Sequence, residues 1–136
     1  MTQEKTLRVL VADDEPHIRN LLAAIVAAHG AEVVAMAGDG EEAVSLFRDT
    51  RPDVAVLDIN MPKLTGDQAF ERILAIDPGV IGIMMTAQDS IDSVRRCLAI
   101  GARNYILKNN PAEEIHRLIG ESLAEYRAEI REGASA

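Results

Sequence analysis

The chain has 136 residues, 48% hydrophobic and 26% charged, which fits one globular domain with a single sizeable core and excludes a disordered segment. Its formal net charge of −8 argues against a nucleic-acid surface, which needs clustered Lys and Arg, and against an anionic membrane as partner. Cys97 is the one cysteine, so no intrachain disulfide can form; with no signal-peptide pattern and no apolar run of membrane-spanning length, the expectation is a soluble cytoplasmic protein.

Leu7 to Ala12, short and rich in β-branched residues, reads as a strand. Pro16 to about Ala28 follows as a helix. Ile18, Leu21, Leu22 and Ile25 recur at helical spacing, Pro16 suits a first turn and Gly30 a stop. Glu32 to Ala37 reads as a second strand, and Asp39 to Phe47 as a helix with Ala43, Val44 and Phe47 on one face. Pro52 breaks the chain before a third strand, Val54 to Leu57. Beyond the Met61-Pro62 loop, Thr65 and Gln68 have capping-box spacing, which starts a helix through about Ile76. Pro78-Gly79 is a turn, Val80 to Met85 a fourth strand, Asp89 to Ile100 a helix stopped by Gly101, and Arg103 to Leu107 a fifth strand. Pro111 leads the last helix, where Ile115, Leu118, Ile119, Leu123, Tyr126 and Ile130 recur at helical spacing. Gly133 to Ala136 is expected to fray.

Five strand–helix units in succession imply an α/β protein, a doubly wound parallel sheet with helices on both faces. No linker divides the chain, so residues 1–136 are expected to form a single domain, folded over about 7–130. The polar residues that follow the strands carry the chemistry. They are Asp13 and Asp14 after the first, Asp58 after the third, Thr86 after the fourth and Lys108 after the fifth. In an open parallel sheet, ligands bind outside the carboxyl ends of the strands. Were the first and third strands neighbours, three carboxylates would share one small space. Crowded carboxylates either rise in pKa or recruit a cation, and Mg²⁺ is held by a few carboxylates, water and phosphate oxygens. Lys108 would add an ammonium and Thr86 a hydroxyl, fixed donors of the kind that stabilise a phosphoryl group in transfer. A carboxylate in that setting is a nucleophile toward phosphorus.

The segments Val11-Ala12-Asp13-Asp14-Glu15-Pro16, Leu57-Asp58-Ile59-Asn60-Met61-Pro62 with Gly66 following, Met85-Thr86-Ala87, and Gly101-Ala102-Arg103-Asn104-Tyr105-Ile106-Leu107-Lys108 resemble the receiver domains of bacterial two-component response regulators, in particular single-domain chemotaxis-type regulators. The match runs in order from about Leu7 to the last helix. One such segment alone is unspecific; four in register on the ends of the right strands are specific. The resemblance implies a flavodoxin-like (βα)5 fold with strand order 2-1-3-4-5. It implies that Asp58 is phosphorylated by a sensor histidine kinase or a histidine phosphotransfer protein. Asp14 and Asp58 would ligate Mg²⁺ directly, Asp13 mainly through water, and the Asn60 carbonyl would complete the protein ligands. Lys108 would hold a phosphoryl oxygen, Thr86 would move toward the phosphoryl group, and Tyr105 would swing inward. These movements would reshape the fourth-helix, fifth-strand and last-helix surface for a downstream effector protein. Asn60 and Gln88 occupy positions that tune the lifetime of the phosphoryl group. Such a domain catalyses its own phosphorylation and dephosphorylation rather than turning over external substrates.

One departure stands out: the family usually has proline, often cis, directly after the lysine, whereas Asn109 follows Lys108 here. A non-proline cis bond costs roughly 3 kcal/mol, so the expectation is a trans bond in a looser loop. Taken singly, each feature has a plainer reading. The acidic pair could be a helix cap, Thr86 a strand-end hydroxyl, Lys108 a solvated cation and Tyr105 a packed ring with a wet hydroxyl. Met61, Met84 and Met85 read as packing and Cys97 as core filling. His17, His29 and His116 show no metal-ligand spacing, and Arg95 and Arg96 read as a solvated helix face beside the expected docking surface. Two other functions stay open: a pseudo-receiver that binds proteins without phosphorylation, and a haloacid-dehalogenase-like phosphatase, although the latter normally carries Asp-x-Asp where Asp58-Ile59-Asn60 stands. A nucleotide-dependent dehydrogenase would need a Gly-x-Gly-x-x-Gly after the first strand, and none is there. The chain reads as a monomer or weak dimer, either stand-alone or part of a longer regulator.

Overall fold

The computed structural model describes residues 6–87 and 91–135. Ten elements alternate along the chain: β1 (Arg8–Ala12), α1 (Pro16–Ala28), β2 (Glu32–Ala37), α2 (Gly40–Thr50), β3 (Val54–Asp58), α3 (Gly66–Ile76), β4 (Ile81–Thr86), α4 (Ile91–Ile100), β5 (Asn104–Leu107) and α5 (Ala112–Ser135). The strands form one parallel sheet in the order β2-β1-β3-β4-β5. This is the doubly wound arrangement expected from the sequence. The order reverses between β1 and β3, so the ends of these two strands face a shared crevice.

Because strand side chains alternate between faces, the unbroken apolar strands feed two cores. Val9, Val11, Val54, Val56, Ile83 and Met85 pack against Leu22, Ile25 and Val26 of α1 and Ile115, Ile119 and Leu123 of α5. On the other face, Leu10, Ala12, Ala55, Leu57 and Met84 meet Phe47 of α2, Phe70 and Ile73 of α3 and Cys97 of α4. Each core is almost wholly aliphatic, as the scarcity of aromatics requires.

Several boundaries differ from the sequence reading. Leu7 precedes β1, and β3 and β4 each run on to include Asp58 and Thr86. Helix α2 continues to Thr50, whose hydroxyl donates to Leu46 O at 2.7 Å, and it is closed by Arg51 in the left-handed region at φ 49°. A non-glycine residue there is uncommon, and Pro52 directly after it keeps the helix from running on. Helix α5 continues to Ser135. Asp89, where the fourth helix was expected to begin, and Ala136 lie outside the described residues. Among the described residues every peptide bond is trans, in keeping with the expectation for Asn109. The turn there is closed by Asn110 N–H donating to Leu107 O at 3.1 Å. No helix among them is long and apolar enough to cross a membrane.

Candidate functional site

The site is built from four strand ends. Asp13 follows β1, and its N–H extends the sheet by donating to Ala37 O at 3.0 Å. Its side chain is buried, and Oδ1 accepts from Glu15 N–H at 2.9 Å. Asp14, next along, is exposed. Asp58 ends β3 opposite Met85 of β4 and is buried. Its Oδ1 accepts from Asn60 N–H at 3.2 Å, which holds the Asn60 peptide against the carboxylate. A Cβ on Gly66 would fall 2.2 Å from Asp58 O. Only a residue without one lets the first turn of α3 lie directly on the Asp58 backbone.

Lys108 follows β5, and its N–H donates to the carbonyl of buried Thr86 at the end of β4, at 2.7 Å. Its side chain then crosses the mouth of the sheet. Nζ lies 2.8 Å from Asp13 Oδ2, 3.2 Å from Asp58 Oδ2 and 3.3 Å from Glu15 Oε1. Burial pushes Asp58 up to about 6, the neighbouring Asp13 charge adds to this, and the Lys108 ammonium and Asn60 N–H pull the other way. Burial disfavours the Lys108 charge, but Asp13 and Asp58 outweigh it and hold the ammonium above its ordinary value. Lys108 therefore stays charged, and one cation faces more than one carboxylate.

One oxygen each from Asp13, Asp14 and Asp58 lie within 4.8 Å of one another. Asp13 Oδ2 is buried and faces the Lys108 ammonium at 2.8 Å. A cluster of hard carboxylate oxygens with acceptor capacity left over fits a hard divalent cation such as Mg²⁺.

Asp13, Asp14, Asp58 and Lys108 thus converge, with Thr86 on the adjacent strand end and the Asn60 peptide beside Asp58. Tyr105 does not join them. It sits in β5 opposite Met84 and is 39% exposed. Gln88 lies outside the described residues. Two contributors escaped the sequence reading. Glu15 reaches Lys108, and Arg19 of α1 donates to Asp13 O at 2.8 Å. The signal for Glu15 was its place two residues after Asp13; the helical position of Arg19, one turn past Glu15, gives it only in retrospect. Arg96 is more than a solvated charge, because it meets buried Asp67 of α3 at 2.9 Å. The fold also joins two of the scattered histidines, with His29 Nε2 3.0 Å from His116 Nδ1.

A family model described as the response regulator receiver domain matches residues 9–120. The chain is 35% identical over 101 residues to the chemotaxis protein CheY of Thermotoga maritima, an alignment covering 74% of this chain and 84% of CheY. It is 38% identical over 113 residues to a protein-glutamate methylesterase/protein-glutamine glutaminase of Anaeromyxobacter dehalogenans. That alignment covers 82% of this chain, which spans about a third (33%) of the methylesterase. The crystal structure of a CheX–CheY–BeF3–Mg complex from Borrelia burgdorferi superposes with a TM-score of 0.79 at 28% identity, covering 86% of this chain and 89% of that one. The order of the strands agrees with these likenesses, and the chain belongs to the response regulator receiver domain family.

Proposed function

We propose that this receiver domain is a phosphorylation switch in which Asp58 takes a phosphoryl group from a phosphohistidine on a sensor kinase or histidine phosphotransfer protein. The reading rests on one observation. The buried Asp58 carboxylate has an ammonium 3.2 Å to one side and two further acids within 4.8 Å. An Asp58 oxygen forms the new O–P bond while the P–N bond breaks and its electron pair stays on the imidazole. Lys108 neutralises a phosphoryl oxygen, and the Thr86 hydroxyl donates to another. Asp14, Asp58 and the Asn60 carbonyl would hold Mg²⁺, with Asp13 acting through water. Bound there, the ion supplies the positive charge that lets an anionic group approach. The Borrelia CheY complex, which contains Mg and BeF3, supports the same cofactor here. Water later attacks phosphorus and releases phosphate, so the domain acts on itself and not on external substrates; Asn60 sits where it can affect that rate.

Residues 1–136 act as a single receiver unit in this reading, in the cytoplasm. Thr86 moves toward the phosphoryl group and Tyr105 turns inward, changing a face that also carries Leu98, 47% exposed. An effector protein docks on that α4–β5–α5 face. No feature of the site favours an unphosphorylated interaction module. Incubation with Mg²⁺ and acetyl phosphate is expected to add one phosphoryl group by intact mass, and Asp58→Asn to abolish the gain. Unchanged mass with acetyl phosphate and with phosphorylated kinase alike would sink the reading.

A further inference from the structure

His29 closes α1. Its N–H reaches Ile25 O and Val26 O at 3.3 and 3.2 Å, and Arg127 of α5 donates to its carbonyl at 2.8 Å, so both helices fix its backbone. Its ring rests on α5 at Gly120, where a Cβ would fall 2.3 Å from the imidazole. In that seat Nε2 lies 3.0 Å from both Nδ1 and the carbonyl oxygen of His116. The ring centroids are 4.4 Å apart and the planes are 60° to each other. Nε2 is thus within hydrogen-bond reach of two groups of His116.

From this geometry we propose that His29 and His116 form a second cation site, for Zn²⁺ or a similar borderline divalent ion, bridging α1 and α5. Zn²⁺ binds imidazole nitrogen at about 2.0–2.1 Å, and two such bonds at a tetrahedral angle hold the nitrogens about 3.3–3.4 Å apart. The observed 3.0 Å is a few tenths short of that, so a small ring rotation suffices. Glu113, one turn before His116, lines the same groove of about 390 Å³ beside Leu21 and Ile25. Water completes the coordination beside the two imidazoles. Arg117 is tied up by Glu114 and Glu121 on its own helix. Mg²⁺ prefers oxygen ligands, so the acidic cluster and this histidine pair sort two cations by chemistry. The site is independent of whether Asp58 is phosphorylated.

Calorimetric titration of the full chain with Zn²⁺ at ~pH 7.5, in millimolar Mg²⁺, tests it. The expected result is one ion per chain with no change in sedimenting mass. His116→Gln and His29→Gln should each weaken binding about tenfold or more. At Zn²⁺ a hundredfold above the parent's Kd, Tm should rise by about 8–11 °C in the parent and by about half of that or less in either variant. His116 is exposed, so its substitution leaves the fold intact. No binding, equal binding by His116→Gln, or binding only through a dimer would overturn the proposal.

Discussion

The Asp58 carboxylate is lifted to about 6 by burial and by Asp13 beside it. A folded value above the ordinary 3.8 means that the group contributes most to stability below pH 3.8. That contribution is lost as pH rises through 6. Asp58→Asn keeps the shape and removes the charge. It is expected to stabilise the metal-free protein at neutral pH by about 1–3 kcal/mol in urea melts. The gain should vanish near pH 4 and shrink when Mg²⁺ is added. A loss of stability at neutral pH would contradict the electrostatic account. At this scale the sequence picked out the groups that converge because each stands at or just beyond the end of a strand. It could not show that Lys108 spans to Asp13 and Glu15 as well as Asp58, since those contacts depend on side-chain paths across three strands.

Helix α4 is fastened to α3 by Arg96 and Asp67. Burial pushes the Asp67 carboxyl up, but hydrogen bonds from Thr65 and Arg96 prevail and hold it below its ordinary value. A depressed folded value adds stability above pH 3.8 that disappears as pH falls through it. Arg96→Met should therefore cost about 1 kcal/mol at neutral pH, since one partner is largely exposed, and almost nothing in strong acid; equal cost at both would refute the ion pair as the source. The elements themselves were legible wherever pattern and punctuation agree. The Thr65–Gln68 box does start α3, with Thr65 N–H donating to Gln68 Oε1 at 3.2 Å, and Gly30 and Gly101 do follow their helices with positive φ. Where a helix runs on past its apolar face, as α2 does from Phe47 to Thr50, local sequence misplaces the end. Arg96 looked solvated because its partner lies 29 residues away.

Both cores draw on strands β1 to β4, so neither should come apart alone. Phe47 and Ile119 are fully buried on opposite faces. Phe47→Ala and Ile119→Ala are expected to cost about 3–5 and 2–5 kcal/mol respectively. In each variant, unfolding followed by far-UV circular dichroism and by tyrosine fluorescence should give coincident transitions. A split transition in either would show that the two layers fold separately. The overall topology was readable because alternation of apolar runs and amphipathic stretches admits few arrangements. The meeting of His29 and His116, 87 residues apart, was not, because it needs the packing of α1 on α5.

Helix α5 has 24 residues, about 36 Å of axis, against strands of four to six residues. It starts beside the reactive edge. Near its far end Glu129 pairs with Arg103 at the entry to β5, so its last turns clear the opposite pole of the sheet. A dye or affinity handle fastened there would stand a full molecular diameter from the chemistry, free to report on it without obstructing it.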